Sequence, residues 1–322
     1  MKDRIDIVAC TDKQFVMTTG VMIQSVCVNN SDLDIVFHIV TDDNVTSEDI
    51  RDMEDVVNYF SKKSIVFYSA SEKIALDKFP ALSENIKITR AAYFRLFIPD
   101  ILPLSIDKVL YLDGDVIVRH SLLPLWNLDL NDNAIAAVRG SEGDLNHFLR
   151  LGYSPELGYF NSGVLLINLK YWRDCHVVND FKDFIANHSD SILLWDQDVL
   201  NVVFKDRKKQ LPAKYNLHHG FLVKKPLFDF DKCKDEVIEA REDPVIVHFT
   251  AEKPWDADQR NPHPFRSTFY KYQDQTKWKG TLVERRSARL RFRHHVIDVL
   301  RRIGLLSNKG SLYDFIDINP ID

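Results

Sequence analysis

Short β-rich runs alternate with helical stretches across the first 120 residues, and this alternation restricts the fold more than any other feature of the chain. The runs are IDIVAC (5–10), DIVFHIV (34–40), SIVFY (64–68) and KVLYLD (108–113). Between them lie segments of helical character, such as 46–60 (TSEDIRDMEDVVNYF). That segment opens with Thr46 or Ser47 as N-cap and places acids in its first turn. The pattern predicts an α/β fold with a mainly parallel central sheet flanked by helices. Further along come the apolar run GVLLINL (163–169), a helical stretch near 174–188, the acidic helix start WDQDVLNVVF (195–204) and the strand PVIVHF (244–249). Ligands of such sheets bind beyond the carboxyl ends of the strands.

With 322 residues and 45% hydrophobic content, the chain can bury a large core as one large domain or two small ones. A formal net charge of −5 argues against nucleic acid as a partner. Cys10, Cys27, Cys175 and Cys233 are far apart and form no CxxC, which disfavours a zinc site or disulfide scaffold and suits a reducing compartment. The opening MKDRIDIVAC lacks the apolar centre of a signal peptide, and no window approaches 18 apolar residues. A cytoplasmic protein is the expectation. After PVIVHF the composition changes. Residues 251–265 are rich in proline and aromatics, and from 284 the chain turns basic (ERRSARLRFRHHVIDVLRRIGLL). We therefore expect one main domain over 1–265 and a basic helical C-terminal region over 266–322. In 284–306, Phe292, Val296, Val299, Leu300 and Ile303 fall at helical spacing among seven arginines. Such a helix either lies on an anionic membrane or packs on the domain with a solvated basic face.

The stretch VLYLDGDVIV (109–118) sets Asp113 and Asp115 around Gly114, inside apolar sequence. Unpaired charges there are costly. In extended backbone, residues i and i+2 project to one side, so the two carboxylates can aim at one point. Gly114 permits a turn and leaves room for a bulky ligand. This suits a divalent cation neutralising a phosphate, although Asp-Gly also ends strands in plain turns. His248, at the end of VIVHF, is a third candidate ligand. An imidazole in the set favours Mn²⁺ over Mg²⁺.

Six blocks in order then resemble the family 8 glycosyltransferases, retaining enzymes with a GT-A (Rossmann-like) fold whose bacterial members include lipopolysaccharide α-galactosyl- and α-glucosyltransferases. The blocks are VACTDKQF (8–15), AAYFRL (91–96), KVLYLDGDVIV (108–118), YFNSGVLLINLKYWR (159–173), WDQDVLN (195–201) and HFTAEKPW (248–255). The resemblance spans about residues 5 to 256. It implies a UDP-hexose donor, a lipid-linked or oligosaccharide acceptor and a metal held by Asp113, Asp115 and His248. It implies that Asp12 reads the uracil edge, that Phe15 stacks on the base and that Gln14, where asparagine is common, hydrogen-bonds to it. Arg95 matches a donor-binding arginine, and Lys253 the lysine that reaches the diphosphate. Asn161, Ser162, Asp196 and Gln197 match the pocket around the transferred sugar. An amide is a poor nucleophile, so Gln197 favours attack from the face the diphosphate leaves, with Asp196 as transient nucleophile the alternative. The block after His248 is one residue shorter than the family's H-x-x-G-x-x-K-P-W, and Ala251 stands near the glycine's place, which weakens backbone contacts to the leaving phosphate there. Lys87, His218 and His219 either face the acceptor or belong to surface loops. Two competing readings are a sugar-phosphate nucleotidyltransferase and a non-catalytic nucleotide-sugar-binding protein. ACTDKQFVMTTG lacks the Gly-rich basic loop of the former.

Overall fold

The computed structural model describes residues 4–73, 90–141, 145–223, 231–257 and 263–283, with Val296 and Val299. A seven-stranded sheet has the order β3-β2-β1-β4-β7-β6-β8. Its strands are β1 (Ile5–Thr11), β2 (Ile35–Thr41), β3 (Lys63–Ser69), β4 (Lys108–Leu112), β6 (Ile135–Arg139), β7 (Phe160–Asn168) and β8 (Lys208–Leu211). β3, β2, β1 and β4 run parallel, β7 runs against both β4 and β6, and β8 is parallel to β6. The expected mainly parallel sheet is therefore present. β1 and β4 read as near-continuous apolar runs because helices cover both of their faces.

Helix α1 (Val16–Asn29) follows β1 and is buried from Val16 to Cys27. A helix enclosed on all sides needs no amphipathic stripe, and its sequence shows none. Helix α2 (Ser47–Asn58) starts at Thr46, whose hydroxyl accepts from the Asp49 N–H while the Asp49 carboxylate accepts from the Thr46 N–H. Thr46 is thus the cap.

A small second sheet pairs β5 (Val116–Val118) antiparallel with β9 (Ile246–His248). Val116 lies opposite His248, and the Phe249 N–H donates to the Asp115 carbonyl at 3.1 Å. This pairing brings the end of the distant segment 244–249 beside the aspartates. Residues 266–283 dock on the α1 layer. Trp278 fills the space that a Cβ on Gly20 would take, and Lys277 pairs with Asp52 of α2 at 2.5 Å. Val283 forms a bridge with Asp256. The basic stretch 284–306, apart from Val296 and Val299, and Lys87 lie outside the described residues. Among the described residues, no helix is long and apolar enough to cross a membrane.

Candidate active site

Beyond the carboxyl ends of β1 and β4 the molecule holds a cavity of about 390 Å³. Eleven residues singled out in the sequence line it: Asp12, Gln14, Phe15, Arg95, Asp113, Gly114, Asp115, Ser162, Asp196, Gln197 and Lys253. They come from segments up to 241 positions apart, and the sheet order explains the convergence. β1, β4 and β7 are neighbours; β1 and β4 deliver their next loops to this edge, and β7, running against β4, begins there with Asn161, Ser162 and Gly163.

At one end, Asp12 follows β1. Its Oδ1 accepts the N–H groups of Gln14 (2.8 Å) and Phe15 (3.1 Å). Its Oδ2 is buried and has no hydrogen-bond partner among the described residues. A buried acceptor left open in a cavity marks where a ligand donor fits.

At the centre, Asp113, Asp115 and His248 present three ligand atoms within 4.8 Å of one another. Gly163 of β7 forms the adjoining wall. A Cβ there would lie 2.1 Å from His248 Cε1 and 2.8 Å from Asp113 Oδ2. Two carboxylates and an imidazole converging on one point, with a glycine clearing the space beside them, fit a divalent cation. Asp115 also meets Lys253 Nζ at 2.6 Å and His248 Nε2 at 3.1 Å. Burial alone would raise the Asp115 pKa, but the Lys253 ammonium and the adjoining His248 ring outweigh it and hold the carboxyl far below its ordinary range.

Arg95 is buried and joins the metal cluster to the next pair of residues. It reaches Asp113 at 2.9 Å, Asp196 at 3.0 Å and the Ser162 carbonyl at 2.8 Å, with its guanidinium 4.4 Å from the Tyr111 ring centroid. Tyr111 donates its O–H to Asp113 at 2.7 Å. Sequence reasoning missed this tyrosine, although it stands two residues before Asp113 and so shares its side of the strand.

The helix Trp195–Val203 supplies the far wall. Burial pushes the Asp196 carboxyl up to about 6; Arg95 pulls it down and Asp113 adds to the rise. Gln197 is engaged through both its oxygen and its nitrogen. Its Oε1 accepts from the Ser162 N–H (3.0 Å) and Asn161 Nδ2 (3.1 Å), and its Nε2 donates to the Tyr159 hydroxyl (3.2 Å). The lone pairs a nucleophile would need are already committed. Trp195 opens the helix at φ 49° and lines the cavity. A bulky side chain in the left-handed region is strained, and such strain concentrates at functional sites.

Asn161 and His248 do not line the cavity but hydrogen-bond to groups that do. Ala251 is exposed and does not line it. His218 is buried with both ring nitrogens in use, donating from Nε2 to the Arg139 carbonyl and accepting at Nδ1 from the Gly220 N–H. Burial pushes its pKa down to about 3. It is a neutral structural histidine and not an acceptor contact. His219 is half-buried, and its N–H donates to Thr250 Oγ1. Asn216 and Tyr159 complete the polar network, and nothing in the sequence around Asn216 pointed to it.

The chain is similar to several known proteins. The family model for glycosyl transferase family 8 matches residues 6–259. General stress protein A of Bacillus subtilis (strain 168) is 29% identical over 282 residues, covering 86% of this chain and 96% of that protein. The lipopolysaccharide 1,3-galactosyltransferase of Salmonella typhimurium (strain LT2) is 30% identical over 262 residues, covering 79% of this chain and 73% of that one. The crystal structure of the galactosyltransferase LgtC in complex with donor and acceptor sugar analogs has a TM-score of 0.70 at 24% identity, covering 85% of this chain and 96% of LgtC, a likeness of fold. With the fold, the ordered blocks and the matched family model in accord, the chain belongs to glycosyl transferase family 8 and is a glycosyltransferase.

Proposed function

We propose that this protein transfers a hexose, galactose or glucose, from a UDP-sugar to a glycan acceptor with retention of configuration. The acceptor is lipopolysaccharide, the glycan in the name of the Salmonella relative, or another cell-surface glycan. One observation carries the reading. A single cavity is lined by Asp12 with its open oxygen at one end, by Asp113 and Asp115, backed by His248, with Lys253 at its centre, and by Asp196 with Gln197 opposite.

The cluster would hold Mn²⁺, or Mg²⁺ in its place, and the bound cation supplies neutralising charge to the diphosphate. Asp12 Oδ2 accepts from the N–H of the base, and Phe15 covers its face. Lys253, already within reach of Asp115, places a positive charge beside the leaving group. Arg95 holds Asp113 and Asp196 in fixed positions; all three of its nitrogens are engaged by protein acceptors. Asp196 stabilises positive charge as the sugar gains oxocarbenium character. Gln197, with its oxygen committed, acts as a fixed dipole, so the acceptor enters from the face the diphosphate leaves and a departing phosphate oxygen takes its proton. The chain divides into a catalytic unit over 1–265 and a C-terminal region over 266–322, whose described part, 266–283, docks on α1. The basic segment 284–306 is assigned peripheral contact with the cytoplasmic face of a membrane that carries the acceptor.

The test is UDP release from a panel of UDP-sugars, with Mn²⁺ and with EDTA. Release from one hexose donor that stops in EDTA is the expected result. Binding of UDP and Mn²⁺ with no release, even with acceptor glycans present, would favour the non-catalytic reading.

A pH dependence accompanies it. With its carboxyl near 6, Asp196 is charged at neutral pH and protonated below that value. Donor hydrolysis is expected to fall as the pH drops through about 6, and Asp196→Asn, already slow, should lack this limb. The raised value has the opposite sign for stability. Between roughly pH 4 and 6 the folded form still holds a proton that the unfolded chain has lost, so ionisation of Asp196 costs stability as pH rises through that window.

A further inference from the structure

We propose that Asn216 and Asn161 are positioning residues that fix which ring nitrogen of His248 faces the metal cluster. The inference rests on the metal reading of Asp113, Asp115 and His248. It follows from the polarity of a chain of hydrogen bonds whose direction the backbone dictates.

A backbone N–H can only donate. The Gly163 N–H donates to Asn161 Oδ1 at 3.0 Å, so that atom is an acceptor. The same oxygen receives Asn216 Nδ2 at 2.8 Å. Were the Asn216 amide reversed, two oxygens would face each other in a fully buried position. Asn216 therefore points its Oδ1 the other way, at His248 Nδ1, 2.9 Å off. A carbonyl oxygen can only accept, so Nδ1 carries a proton. Nε2 is then the atom left facing Asp115 Oδ1 at 3.1 Å and Asp113 Oδ2 at 3.7 Å.

A second fixed point agrees. The Ser162 N–H donates to Gln197 Oε1 at 3.0 Å, which settles that amide and lets Asn161 Nδ2 donate to the same oxygen at 3.1 Å. Gln197 Nε2 donates to Tyr159, and Tyr159 donates to Asp198 Oδ1 at 2.8 Å. Asp198 ends the chain as an ionised acceptor held by Arg150 at 2.8 Å. Every link from His248 to Asp198 has one polarity. The sugar-facing wall and the metal-facing imidazole are thus parts of one network, joined through Asn161. Partners of this kind orient a ligating histidine, and their loss costs 10–100-fold in metal affinity.

The deciding measurement is NMR of the full-length protein carrying ¹⁵N-histidine, loaded with Mg²⁺ to keep it diamagnetic. The His248 signals are those missing from His248→Asn. A proton on Nδ1 is expected, and a proton on Nε2 with Nδ1 bare would overturn the inference while leaving the metal cluster intact. This measurement needs no variant of Asn216. Calorimetric titration with Mn²⁺ then compares the wild type with Asn216→Leu, which keeps the size of the side chain and removes both hydrogen bonds. A 10–100-fold loss of Mn²⁺ affinity is expected. Equal affinity in a folded variant would overturn the positioning role alone. A wild type that binds no Mn²⁺ would overturn both this inference and the metal reading beneath it.

Discussion

Asp115→Asn is expected to lower Mn²⁺-stimulated UDP release by at least about 10²–10³-fold, the rate equivalent of the several kcal/mol that metal neutralisation of a leaving group supplies. The side chain has two tasks. Its Oδ1 faces His248 within the candidate metal cluster, and its Oδ2 holds Lys253 at 2.6 Å. Its loss removes a ligand and also leaves buried positive charge without its counter-ion, which costs up to roughly 3–5 kcal/mol when one partner of a buried pair is deleted. Asp113→Asn should lose turnover to a similar degree with a smaller drop in stability, because Arg95 retains Asp196 and the Ser162 carbonyl as partners. Thermal melting in EDTA separates the two variants, and UDP release with Mn²⁺ measures their common defect. Full metal-dependent release in either variant would remove the metal assignment.

The pair is also where the sequence was most legible. An apolar run interrupted by two acids at i and i+2 has few uses in a buried strand, and Asp113 and Asp115 lie just past the end of β4. β1, β2, β4 and β7 were legible because strands covered on both faces need continuous apolar sequence, and β3, an edge strand with an exposed face, was legible from its β-rich run SIVFY. β8 was not. Its four residues, KKQL, form an edge strand with little to bury. Nor could local sequence reveal that β7 runs against its neighbours, because direction depends on the crossover and not on the strand. The order of six motif blocks indicated which residues gather, but not how they are held. Arg95 was expected to face the donor; it lines the cavity and also ties Asp113 to Asp196 from a buried position, a link no motif announced. Asn216 lies in no motif, and its role depends on a register, Val116 opposite His248, that exists only once β5 and β9 pair. Roles set by side-chain chemistry could be read from the sequence, whereas roles set by hydrogen-bond direction required the fold.

The glycine of YFNSGVLLIN carries the second large effect. Gly163→Ala is expected to reduce Mn²⁺ affinity at least about 10-fold, as loss of support to a metal ligand does, and to reduce metal-dependent UDP release with it. The added Cβ would stand 2.1 Å from His248 Cε1, 2.7 Å from His248 Nδ1 and 2.8 Å from Asp113 Oδ2. Neither neighbour is a free end that can swing aside. His248 is buried and tied to Asn216, and Asp113 is held by Arg95 and Tyr111. The methyl group can be accommodated only by moving His248 out of the cluster or by bending β7, an overpacking cost of roughly 1–3 kcal/mol. UDP binding in EDTA should change far less, since Asp12 and Phe15 stand on the loop after β1, away from this contact. Calorimetry with Mn²⁺, and with UDP in EDTA, reads the two effects separately. If Gly163→Ala binds Mn²⁺ as the wild type does, the close approach of β7 to His248 is not what shapes the cluster. If both affinities fall together, the methyl group has disturbed the whole cavity, and the glycine's role is general packing.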